Sequence, residues 1–302
     1  MADNSIAFVF PGQGSQKVGM LAAAHAKFAS VRDTFAEASD ALGYDMWALI
    51  EAGPQEDLNM TETTQPVLLS SSVALWRAWQ EVGGIAPAAM AGHSLGEYSA
   101  LVAAGSLTFA DALKLVELRG RLMQAAVPAG TGGMTAVVGL DDAAVLELCR
   151  ACPDGLLEPA NFNAPGQVVV AGERRALDWL DAQGRSHGAR MVKRLAMSVP
   201  SHCSLMHKAS EQLAAALADV KVCEPSIGVL HNLDAAPRRT PDDIRSALAA
   251  QLQQPVRWAD GDPLERLLMQ GLLLGVDPVD APGRHRIRRI RNGQSSKSVG
   301  AK

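Results

Sequence analysis

Gly92-His93-Ser94-Leu95-Gly96 is a Gly-x-Ser-x-Gly pentapeptide set between an apolar run, Pro87 to Gly92, and a helix-like run, Glu97 to Ala104. A serine in that setting sits on a strand-to-helix elbow. The glycines keep Cβ atoms out of a tight turn, and the helix start behind it presents N–H groups and a positive dipole end to developing negative charge. A glycine-rich helix start would read the same way, so the pentapeptide needs partners. A hydroxyl is nearly unreactive at neutral pH without a base. Of the seven histidines, His25, His187 and His285 fall in polar surroundings, and the elbow would turn His93 away from its neighbour. His202, in Ser198-Val199-Pro200-Ser201-His202-Cys203, follows a strand-like run and a proline, as a base in a loop at a sheet edge would. Spacing alone leaves a structural histidine equally open. Cys203 is adjacent to His202, and adjacent side chains rarely face one another, so a cysteine nucleophile is set aside. Cys149-x-x-Cys152 has no second Cys or His pair at zinc spacing and reads as two turns of a helix.

These residues need a scaffold. Ile6 to Phe10 is an apolar run halted by Pro11-Gly12-Gln13-Gly14-Ser15, a buried first strand ending in a glycine-rich turn. Between Val31 and Trp79 apolar residues recur at spacings of three and four, as in helices packed on a sheet. The style changes from Met134 onward. A strand over Thr135 to Leu140 is followed by an acid-capped helix from Asp141, strands near 158–161 and over Gln167 to Ala171, a helix over Arg174 to Gln183 and a closing strand over Arg190 to Met197. That β-α-β-β-α-β order is the split ferredoxin-like unit. Helices resume after Ser204, so the unit interrupts a larger domain. The expected architecture is α/β: a hydrolase-like large domain with a parallel sheet core over 1–127 and 198–280, an inserted ferredoxin-like small domain over 128–197, and a basic, disordered tail over 281–302.

Six ordered segments now fall into place: Phe10-Pro11-Gly12-Gln13-Gly14-Ser15-Gln16, Thr64-Gln65-Pro66, Gly92 to Glu97, Arg119 within Glu117 to Arg121, Asn161 to Gln167, and Val199-Pro200-Ser201-His202. Together they resemble the malonyl-CoA:acyl carrier protein transacylases of bacterial fatty-acid synthesis, from about residue 5 to about residue 270. The resemblance implies that Ser94 attacks a malonyl thioester with His202 as base, and that backbone N–H groups of Gln13 and Leu95 form the oxyanion hole. It implies that Arg119 pairs with the malonyl carboxylate, a planar anion suited to its guanidinium fork. A backbone carbonyl near Gln251 would hold the imidazole in place of a triad aspartate, and Gln65, His93, Asn163 and Gln251 would border the substrate. On residue type alone, Arg119 on a solvated helix face and Gln251 at a helix end would be the plainer readings. The implied partners are malonyl-CoA and an acyl carrier protein, with no metal and no cofactor beyond the thioester substrate. A discrete acyltransferase serving a polyketide or polyunsaturated-fatty-acid synthase would use the same residues.

Composition sets the limits. Over 302 residues, 48% hydrophobic and 20% charged, the chain is in the ordinary globular range, which excludes disordered, collagenous and disulfide-scaffold classes. Six Phe, five Trp and two Tyr are too few for stacking platforms on single-stranded nucleic acid. Leu122 to Leu140 is interrupted by Pro128, Gly130, Gly132, Gly133 and Gly139 and does not read as a membrane span. The start has no secretory signal pattern, so the expected compartment is the cytoplasm; the expected state is a monomer. Net charge is −4, yet from Ala281 to Lys302 there are seven Lys and Arg and no acids, a run read as solvated rather than as a nucleic-acid site. Gly271 to Gly283 lacks the Gly-Pro-Gly turn that relatives carry there. An altered reading frame at the gene's end or a natural basic tail would both produce this.

Overall fold

The computed structural model describes residues 6–128, 130–195, 199–260 and the backbone of 273–274. The expected basic tail, and the segment in which the Gly-Pro-Gly turn is missing, lie outside these residues apart from 273–274.

The chain begins with strand β1 (Ala7–Phe10) and helices α1 (Ala22–Lys27), α2 (Ala29–Leu42), α3 (Met46–Ala52), α4 (Gln55–Leu58) and α5 (Thr61–Glu81). Strand β2 (Ala89–Gly92) then leads into α6 (Gly96–Ala103) and α7 (Phe109–Ala126). A second group follows: β3 (Gly132–Val138), α8 (Asp142–Arg150), β4 (Leu157–Ala164), β5 (Gln167–Glu173), α9 (Arg174–Gln183) and β6 (Met191–Arg194). The chain returns through α10 (His207–Ala218), β7 (Gly228–Leu230), α11 (Pro241–Gln251) and the short β8 (Leu273–Leu274). Among the described residues no helix is long and apolar enough to cross a membrane.

Two sheets result. The first has the order β7-β2-β1-β8 and is parallel throughout, with Phe10 opposite Gly92 where β1 and β2 end together. Parallel neighbours need crossovers, and here these are helical. The second sheet, in the order β4-β5-β3-β6, is antiparallel, and its β-α-β-β-α-β chain order follows the sequence expectation. Strand ends differ. The first strand of that group runs Gly132–Val138 rather than Thr135 to Leu140, the second and third are longer than expected at Leu157–Ala164 and Gln167–Glu173, and the last covers Met191–Arg194, with residues 196–198 outside the description.

Local chemistry fixes the helix starts. Asp141 caps α8 by accepting from the Ala144 N–H at 2.8 Å, Thr108 caps α7 through Asp111 N–H, and Thr240 caps α11 with Pro241 in its first turn. The larger core gathers α2, α5, α6, α7, α10 and α11 around the parallel sheet. Strand β5 shows why the second sheet has two dry faces. Val168 and Val170 pack under α8 and α9, whereas the alternate residues Val169 and Ala171 join Met134, Ala160 and Cys203. The second face therefore rests on the loop that follows His202. Strand β4 also continues the connection, with Val256 N–H donating to the Ala160 carbonyl at 2.8 Å and Phe162 N–H to the Val256 carbonyl at 2.9 Å. Glu158 accepts from both the backbone N–H and the hydroxyl of Ser204.

Candidate active site

The elbow depends on its glycines. A Cβ at Gly92 would stand 1.9 Å from the Gly96 carbonyl, and one at Gly96 would stand 2.2 Å from the Phe10 carbonyl. Only with both positions bare can β2 turn into α6 while lying against the end of β1. Ser94, between them, takes a left-handed backbone with φ 52°, and His202 does the same at φ 62°. Residues other than glycine are uncommon there and are held by their surroundings. A Cβ on Gly12 would meet the His93 carbonyl at 2.7 Å, so the loop carrying Gln13 abuts the elbow. The Leu95 backbone opens α6.

His202 Nε2 lies 2.8 Å from Ser94 Oγ, and Nδ1 lies 2.7 Å from the Gln251 carbonyl. A carbonyl can only accept, so the ring proton sits on Nδ1, and Nε2 offers its lone pair to the serine hydroxyl. His202 is 2% exposed. Burial, and then the charge of Arg119, press its pKa down to about 3, against opposing hydrogen bonds to the Gln251 and Gln254 backbone. The ring is therefore neutral at physiological pH, as a base must be before it acts. Arg119 is 1% exposed, and the expectation of a solvated helix face does not hold for it. On α7 it takes a place in the inward stripe with Ala112, Leu113, Val116, Gly120 and Met123, brought close to α5 because Gly120 packs on Glu62.

The guanidinium is held on three sides. Nη1 donates to Gln65 Oε1 at 2.8 Å, and Nη2 donates to Ser94 Oγ and to Gln251 Oε1, both at 3.1 Å. Nε makes no hydrogen bond among the described residues. Burial lowers the pKa of Arg119, and the nearby Tyr98 and Glu97 oppose this. His93 does turn from Ser94, and its Nε2 meets Asn163 Oδ1 on β4 at 2.9 Å, a contact between the two sheets' units. Burial lowers the His93 pKa, with the Asn163 contact opposing. Gln251 is the last residue of α11, and its side chain is buried rather than solvated. Sequence reasoning missed a layer beneath these residues. Glu97, His231 and Asn232 are all buried, with His231 Nδ1 2.6 Å from Glu97 Oε1. A glutamate among the apolar residues of α6 was the available signal for the first of them.

A hydroxyl between a neutral imidazole and a buried guanidinium can attack an acyl group that carries its own negative charge. The acyl transferase domain family matches residues 7–266 of the chain. The malonyl CoA-acyl carrier protein transacylase of Salmonella typhimurium is 53% identical over 267 residues, spanning 88% of this chain and 86% of that protein. The chain belongs to this transacylase family. Among solved structures, the acyl carrier protein S-malonyltransferase of Vibrio cholerae superposes with a TM-score of 0.84 at 51% identity, covering 89% of this chain and 87% of that one. A malonyl-transacylase solved in complex with a type II PKS acyl-carrier protein gives a TM-score of 0.83 at 52% identity, with 84% and 83% covered. For a transacylase the gathering of Ser94, His202, Arg119, Gln65 and Gln251 from five separate parts of the chain is the notable result. Among the described residues no group of three or more His, Cys, Asp or Glu is placed to hold a metal ion.

Proposed function

We propose that the chain moves malonyl from CoA to the phosphopantetheine thiol of an acyl carrier protein through a malonyl ester on Ser94. As Ser94 Oγ bonds to the thioester carbon, its proton passes to His202 Nε2. The thioester oxygen takes up the negative charge, facing backbone N–H groups of Leu95 and Gln13. Collapse breaks the carbon–sulfur bond, and His202 returns the proton to the departing CoA sulfur. The carrier thiol repeats the sequence in reverse. Arg119 holds the malonyl carboxylate throughout, with Gln65 and Gln251 orienting the guanidinium and His93 and Asn163 bordering the acyl chain. The observation that carries this reading is the hydrogen-bonded row Arg119, Ser94, His202, with adjacent members within 3.1 Å.

The reading needs no metal or organic cofactor, because the thioester is already activated. It takes the parallel sheet as the core of a hydrolase-like domain, interrupted over about 128–197 by a ferredoxin-like one. It places the enzyme in the cytoplasm as a monomer supplying fatty-acid elongation. The test is to mix the purified chain with malonyl-CoA and holo-acyl carrier protein and follow the carrier by mass. Malonyl-carrier should accumulate with the wild type and not with Ser94→Ala; equal accumulation with both would refute the proposal.

A further inference from the structure

The backbone N–H of Ser94 does not point at the substrate side. It donates to Asn232 Oδ1 at 2.6 Å, and Asn232 Nδ2 in turn donates to the Gly92 carbonyl at 2.7 Å. A backbone N–H can only donate and a carbonyl can only accept, so the orientation of the amide is unambiguous. One side chain, 138 residues from the nucleophile in sequence, thus spans the elbow from the last residue of β2 to Ser94. The residue it grips is the one at φ 52°.

Asn232 is itself fixed. It is 4% exposed, follows β7 in a tight turn, and donates its own N–H to Glu97 Oε2 at 2.9 Å. Glu97 Oε1 meets His231 Nδ1. The same Glu97 Oε2 accepts from Gln251 Nε2 at 2.9 Å, and that amide nitrogen also donates to the Ser94 carbonyl at 3.0 Å. Both acceptors face the nitrogen end of the Gln251 amide, which turns its oxygen toward Arg119. The nucleophile's N–H and carbonyl therefore both end on side chains of residues tied to one buried carboxylate, Asn232 through its backbone N–H and Gln251 through its side-chain amide.

We propose that Asn232 is a positioning residue for the nucleophile. Its amide holds Ser94 in the left-handed conformation that aims Oγ at His202, and it withdraws the Ser94 N–H from the oxyanion hole, leaving that hole to Leu95 and Gln13. This inference rests on Ser94 being the nucleophile, so the experiment uses a probe that needs neither CoA nor a carboxylate. An alkyl fluorophosphonate phosphonylates an activated serine with loss of fluoride, and intact mass over time gives both the rate constant and the final fraction labelled. Wild type is expected to label at Ser94. Asn232→Ala is expected to reach the same final fraction with a rate constant about 100-fold lower, the cost of a misplaced reacting atom. Its preference for malonyl over acetyl groups should be unchanged, because Arg119 is untouched.

A merely structural role would lower the fraction labelled and leave the rate constant of the folded molecules alone. Asn232→Asp keeps the side chain's shape but turns an acceptor toward the Gly92 carbonyl. It is expected to be slowed at full amplitude too, and it serves if the alanine variant does not fold. Rate constants for the variants within about threefold of wild type, whatever the amplitude, would overturn the proposal while leaving the nucleophile intact. A wild type that labels elsewhere than Ser94 would overturn both.

Discussion

At the scale of single residues, the account turns on two buried side chains whose ordinary ionisation is opposed by their surroundings. Arg119 contributes charge-assisted hydrogen bonds at roughly 1.5–3 kcal/mol each, and a carboxylate gripped by two of them should favour malonyl strongly. Arg119→Ala is therefore expected to lower Ser94 malonylation about 100-fold relative to acetylation, measured as the ratio of adducts formed from the two CoA esters. Equal losses would remove the anchor. His202 has its pKa pushed to about 3 from an ordinary 6.5. Between those values the unfolded chain binds a proton that the folded chain refuses, so this group makes stability rise with pH and erodes it as pH falls. Denaturant unfolding of wild type and His202→Asn at about pH 5 and pH 7 should show a smaller acid loss in the variant. Ser94 acylation should likewise show no inflection near the ordinary imidazole value of about 6.5.

At the scale of elements, the elbow is the demanding piece. Gly92→Ala places a Cβ 1.9 Å from backbone, which neither side-chain repacking nor a small shift relieves. The expected cost is at least about 3 kcal/mol, with loss of Ser94 labelling. Gly43→Ala, at the left-handed end of α2 with no atom within 4 Å of the added carbon, should cost only about 1–2 kcal/mol. Equilibrium unfolding of the two variants checks the contrast. Helices and glycine turns were the more legible pieces in sequence. Pro11-Gly12 and Gly92 to Gly96 punctuate apolar runs beside the elbow, and in the smaller sheet's unit Arg174 to Gln183 carries a helical period whose ends match α9. Strand ends were less legible: the small sheet's first strand begins at Gly132, because its pairing with β5, rather than its own apolar run, decides where it starts.

At the scale of the whole molecule, the site is a meeting place. Ser94 comes from β2 and α6, Gln65 from α5, Arg119 from α7, His202 from the return out of the small sheet, and Gln251 from the end of α11. A motif such as Gly-His-Ser-Leu-Gly announces itself locally, whereas Arg119 stands in an inward helical stripe that reads as ordinary amphipathic helix until its neighbours are known. His231 and Asn232 had no local signal at all, since their importance comes from a chain reversal more than 130 residues after the nucleophile. The small sheet matters through its second face and through β4, where Glu158 holds Ser204, just after the histidine, and Ala160 holds Val256, just after the glutamine. The measurement that bears most directly on the whole is intact mass with peptide mapping after incubation with malonyl-CoA alone, followed by addition of holo-acyl carrier protein. One malonyl group should appear on the peptide containing Ser94 and then leave with the carrier. An adduct on any other residue, or none before the carrier is added, would contradict the account.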